Sequence, residues 1–153
     1  MKKLLLFALF FIGITLKVVA QTNEEDAIKK TINNLFTGMK RGDSTIARLA
    51  FADHCILQTI STKTGKAVVK TESVAEFIKF IGTPHKEKFD ERIVFTKILI
   101  DGPLAVVWTD YKFYLDDKFS HCGVNSFQLV KGEAGWKIVY LIDTRRKDGC
   151  GKG

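Results

Sequence analysis

Proline is nearly missing, with 2 residues in 153, and cysteine numbers only 3. No heptad pattern, collagen-like glycine period or low-complexity tract runs through the chain, which excludes fibrous and linker-like classes. Also absent are GxSxG, GxGxxG, Walker and SxxK motifs, so serine hydrolase, dehydrogenase and nucleotidase readings lack support. There is no CxxC, HxH or HExxH, and neither a metal nor a cofactor is expected. The basic residues form no concentrated stripe apart from Arg145-Arg146-Lys147, which argues against nucleic acid as a partner. What remains is a globular composition, 46% hydrophobic and 27% charged with 12 Phe, in a chain long enough for one domain.

Lys2 and Lys3 precede an almost purely apolar run, Leu4 to Leu16, broken by Lys17 and followed by Val18-Val19-Ala20. The run is too short to cross a bilayer comfortably and suits a signal-peptide core with cleavage after Ala20. The expected division is therefore a signal peptide at 1–20, one domain at 21–147 and a short tail at 148–153. No lipobox cysteine follows the apolar core. The expectation is a periplasmic or secreted protein with no stable membrane anchor after cleavage. Losing 1–20 removes three Lys and no acid, so the formal charge falls from +7 to +4. Cys55, Cys122 and Cys150 remain, and an odd number permits at most one internal bridge. Two readings stay open: buried thiols, or a Cys122–Cys150 disulfide tying the tail to the sheet.

Ile28, Ile32, Leu35, Phe36 and Met39 fall on one face of a helix that Gly42 ends. Asp43 or Ser44 caps a short second helix, and Ser73 a third bearing Val74, Phe77, Ile78 and Ile81. Strands are expected over Cys55–Thr62, Ala67–Lys70, Arg92–Ile100, Leu104–Leu115, Phe119–Val130 and Trp136–Thr144. Helices, a hairpin, a helix and then a meander define an α+β class. The meander is apolar on both faces, so one face is expected to meet the helices and the other a second subunit or another part of the sheet. The predicted architecture is a curved antiparallel sheet wrapped around the N-terminal helices, forming a homodimer through the sheet.

The step Gly42-Asp43 through Phe51-Ala52-Asp53-His54 and the strand Gly135-Trp136-Lys137-Ile138-Val139 resemble the nuclear transport factor 2-like superfamily, with its SnoaL-like and ketosteroid-isomerase-like branches. His121-Cys122-Gly123-Val124, Phe127-Gln128-Leu129-Val130 and Asp143-Thr144-Arg145-Arg146 resemble exported bacterial members labelled "putative lumazine-binding". The resemblance implies a cone-shaped, cystatin-like fold with a pocket at the wide end. It does not choose among isomerases, dehydratases, cyclases and binders.

Turn lengths set the expected register. A two-residue turn near Asp116-Asp117 and a loop at Gly132–Gly135 place Trp108, Asp110, Tyr114, His121, Asn125, Phe127, Trp136 and Tyr140 on one face. Val107, Thr109, Tyr111, Cys122, Val124 and Val139 fall on the other. The first set reads as a pocket for a small apolar or planar ligand, with Arg145 at its mouth. The alternative is a cofactor-free isomerase, dehydratase or cyclase. Asp110 would be its base, with His121 and Tyr140 assisting. A plainer reading gives Asp110 and His121 structural roles and Arg145 a surface ion pair. His54 reads as a loop histidine. His121 and Cys122, being adjacent on a strand, point to opposite faces and form no dyad.

Overall fold

The computed structural model describes residues 23–62 and 65–151; the expected leader at 1–20 lies outside them. Helix α1 (23–41) ends at Gly42, whose φ of +68° is the left-handed conformation glycine adopts without strain. Its apolar face is buried throughout, with Ile28 and Ile32 at 0% exposure. The side chain of Asp43 accepts from the Ile46 amide and starts α2 (Ser44–Arg48). After β1 (Phe51–Ser61) and β2 (Val68–Glu72), Ser73 caps α3 (Val74–Gly82). Then come β3 (Phe89–Asp101), β4 (Leu104–Leu115), β5 (Lys118–Gly132) and β6 (Gly135–Thr144).

The six strands form one sheet in the order β2-β1-β6-β5-β4-β3. The meander is antiparallel as expected, but β1 runs parallel to β6, so the sheet is mixed. The core lies between the helices and the inner face, around Ile28, Leu35, Phe127, Leu129 and Ile138. Among the described residues no helix is long and apolar enough to cross a membrane.

Three bulges decide which side chains face inward. Each adds one residue to one strand of a pair and so reverses the alternation beyond it. Thr96 is the extra residue between β3 and β4, Ser120 between β4 and β5, and Val139 between β5 and β6. Near the Asp116-Asp117 turn the register follows the two-residue rule, with Tyr114 opposite Phe119. One bulge later, Phe113 is opposite His121, Tyr111 opposite Gly123 and Thr109 opposite Asn125. Lys131 does lie opposite Trp136, yet past Val139 Asn125 is opposite Asp143.

The expected single face is therefore split. His121, Asn125, Phe127 and Trp136 point inward. Trp108, Asp110, Tyr114 and Tyr140 point outward, on the opposite side of the sheet from His121. Turn length alone gave the wrong parity because it cannot register a bulge further along the strand.

Cys122 and Cys150 form a disulfide, which selects the bridged alternative. Cys122 also exchanges two backbone hydrogen bonds of 2.8 Å with Arg146. The tail thus folds back over the outer face, bringing Gly151 against the Asp110 carboxylate. Cys55 is a free thiol whose pKa burial pushes up to about 11.

Candidate functional site

Between the inner face, α1 and α3 lies a cavity of about 540 Å³. Its walls are apolar and largely aromatic. Leu35, Phe36 and Met39 come from α1, Phe77 and Phe80 from α3, and Phe89 and Phe113 from the sheet. The rings continue one another: Phe80 stacks on Phe89 at 5.3 Å, Phe89 on Phe113 at 6.2 Å, and Phe113 lies 4.9 Å from His121.

Polar groups gather on the sheet side. Asn125 is 3% exposed and donates from Nδ2 to Glu91 Oε1 at 2.8 Å. Glu91 also lies near Asp143 and Arg145. Burial is the main force pushing its pKa up, to about 7; the Asn125 hydrogen bond opposes the rise and the Asp143 charge adds to it. Tyr111 donates from its hydroxyl to the Thr144 carbonyl at 2.8 Å and lies 3.3 Å from Asp143 Oδ2. Burial, with the nearby acids, raises its pKa, so it stays a phenol. Arg145 donates from Nε to Asp143 Oδ2 at 2.9 Å. Burial disfavours the Arg145 charge, but Asp143 outweighs it and the pKa is raised. Burial and Arg145 both lower the His121 pKa, which favours the neutral imidazole. Ser120 lies 3.1 Å from His121 Nδ1. Thr59, 7% exposed, lines the same cavity, and its hydroxyl has no partner among the described residues.

Of the residues expected to form the pocket, His121, Asn125 and Arg145 line this cavity. Phe127 lies in the adjoining core, edge-on to Phe36 at 6.3 Å. Trp136 is buried and donates from Nε1 to Glu24 of α1 at 2.8 Å, anchoring helix to sheet. Trp108 is 47% exposed on the outer face. Tyr114 lies beneath the Arg92 guanidinium at 4.1 Å, and Tyr140 donates to Gln58 Oε1 at 2.7 Å. Asp110, expected as the base, sits under the tail with the sheet between it and His121. No cluster of metal-ligating side chains occurs among the described residues, and His54 is exposed.

Sequence reasoning missed Glu91 and misplaced Tyr111. The sequence reading begins this strand at Arg92, although Phe89, Glu91, Ile93 and Phe95 already alternate inward. That extension was the available signal. The misplacement of Tyr111 follows from the Ser120 bulge.

A curved sheet closed by helices around such a pocket is the nuclear transport factor 2-like, cystatin-like fold. The chain is similar to a nuclear transport factor 2-like protein of unknown function from Shewanella baltica OS155, with a TM-score of 0.63 at 20% identity, covering 83% of this chain and 97% of that one. It is similar to one with a cystatin-like fold from Novosphingobium aromaticivorans, with a TM-score of 0.67 at 11% identity, covering 92% and 90%. A cystatin-like domain from Nostoc punctiforme PCC 73102 gives 0.65 at 18%, covering 84% and 80%. At these identities the likeness establishes the fold. Within it, the chain belongs to the family described as "Putative lumazine-binding", which it matches over residues 23–141. A search of curated proteins finds no match.

Proposed function

We propose that this protein is an exported binder of a small planar molecule, held in the inner cavity. The observation that carries the reading is the cavity's mixed chemistry. Stacked phenylalanines from α3 and the sheet line it, and beside them on the inner sheet face stand Glu91, Asn125 and the Thr59 hydroxyl, which has no partner among the described residues. Sites for small ligands combine apolar walls with a few placed polar groups in this way. The family's description supports a heterocycle of the lumazine kind. Export rests on the 1–20 pattern and agrees with the Cys122–Cys150 bridge.

Lumazine, a fluorescent planar pteridinedione, is the direct probe. Titration should saturate and raise the melting temperature. Asn125→Leu should weaken binding about tenfold, the cost of one lost hydrogen bond to a buried group. If neither lumazine nor other planar heterocycles bind, the reading fails.

Glu91 supports a second reading, a proton-shifting isomerase or dehydratase. A carboxyl that titrates near neutrality and has one oxygen not bonded to Asn125 suits a general base. In that case Glu91→Gln keeps ligand binding and abolishes turnover.

The outer face supports self-association. Val94, Trp108 and Leu99 on β3 and β4 are each at least 45% exposed there, and exposed apolar patches mark interfaces. Sedimentation from micromolar to near-millimolar concentration should show a dimer that Trp108→Glu dissociates. A monomer throughout would contradict it.

A further inference from the structure

The cavity's charge runs against that of the chain. The protein carries 24 Lys and Arg against 17 Asp and Glu. The cavity lining reverses the balance, with Glu72, Glu76 and Asp143 against Arg145 alone, before Glu91, which burial leaves partly neutral, is counted. Arg145 is engaged by Asp143 at 2.9 Å and is also acted on by the Glu72 charge. Glu76 makes no ion pair among the described residues, and it stands at the mouth with Glu72, exposed beside Phe77 and Phe80.

Resting on the reading of this cavity as a binding site, we propose that its ligand is an organic cation: a quaternary or protonated amine on a planar or apolar frame. The frame lies along the Phe89–Phe113 wall, and the charged group sits at the Glu72–Glu76 side of the mouth, over the Phe77 and Phe80 rings. Aromatic faces attract cations through their quadrupoles, Phe among them, and the attraction grows as water is excluded. Carboxylates at the rim of a partly dehydrated cavity add a longer-ranged pull and concentrate cations there. An independent sign of an occupant is the Thr59 hydroxyl. It is more than nine-tenths buried, lines the cavity and has no partner among the described residues. Isolated buried hydroxyls are costly, and a polar atom on the bound frame would satisfy this one.

The test uses three naphthalene probes of matched shape: (2-naphthylmethyl)trimethylammonium, its uncharged carbon isostere 2-neopentylnaphthalene, and 2-naphthylmethanesulfonate. Binding is followed by naphthalene fluorescence at low salt, beside lumazine. The cation should bind about tenfold or more tightly than the neutral isostere, and the sulfonate most weakly. The double variant Glu72→Gln, Glu76→Gln should bring the cation down to the neutral probe's affinity while leaving the neutral probe unchanged. Because both residues are exposed at the mouth, the variant should fold normally. Equal or tighter binding of the neutral or anionic probe overturns the cation proposal and leaves the cavity reading intact. So does binding of lumazine with no binding of the cation. If none of the four binds, both fall.

Discussion

Gly123→Ala should cost about 3 kcal/mol or more, enough to leave most of the chain unfolded or insoluble. Gly123 faces inward on β5, opposite Tyr111. A β-carbon there would lie 1.8 Å from the Thr144 carbonyl oxygen and 2.6 Å from the Tyr111 ring. The first neighbour is backbone and cannot swing away. The same carbonyl accepts the Tyr111 hydroxyl, and the Thr144 hydroxyl accepts from the Val124 amide. Relieving the clash would push the end of β6 off β5 and carry Asp143 and Arg145 away from Glu91. Urea unfolding of the soluble fraction measures the cost. A variant within about 1 kcal/mol of the parent, the range of a tolerated core change, would show that this close approach does not exist.

Removing the disulfide should be nearly as damaging. Cys122 and Cys150 are 28 residues apart, and closing a loop of that size in the unfolded chain is worth about 3–4 kcal/mol. For a domain of this length the melting temperature should fall by about 10–15 °C. Reductant, or Cys122→Ala with Cys150→Ala, should do this, and each measurement checks the other. The local consequence is as informative. The bridge stands beside the paired hydrogen bonds between Cys122 and Arg146, one residue from Arg145 at the cavity mouth. Its loss should free the tail from Asp110 and loosen Arg145. An unchanged melting temperature under reductant would show that the tail is not tied down.

Local signals carried most of the fold. The spacing of Ile28, Ile32, Leu35, Phe36 and Met39, the caps Asp43 and Ser73, and the turn at Asp116-Asp117 each act within a few residues, and each appears in the structure. The candidate site was only half legible. Sidedness depends on every residue between a turn and the position in question, so one bulge at Ser120 moves Asp110 and Trp108 to the far face and brings Tyr111 in. A bulge has no strong sequence signature, since Ser120 and Val139 are ordinary strand residues. The parallel pairing of β1 with β6 was hidden for a related reason. It joins strands distant in sequence, and no turn records it.

Glu91, held by Asn125, faces the cavity rather than open solvent. Following the Glu91 side-chain carboxyl carbon by NMR as a function of pH checks this. The midpoint should lie near 7, against an ordinary value of 4.5. Because the folded-state pKa is the higher one, neutral Glu91 supports the fold fully below 4.5. That support is lost as pH rises through 7, by up to about 3 kcal/mol, and Glu91→Gln should therefore be more stable than the parent at pH 8. A Glu91 midpoint in the ordinary carboxylate range, with no gain from Gln, would contradict the account.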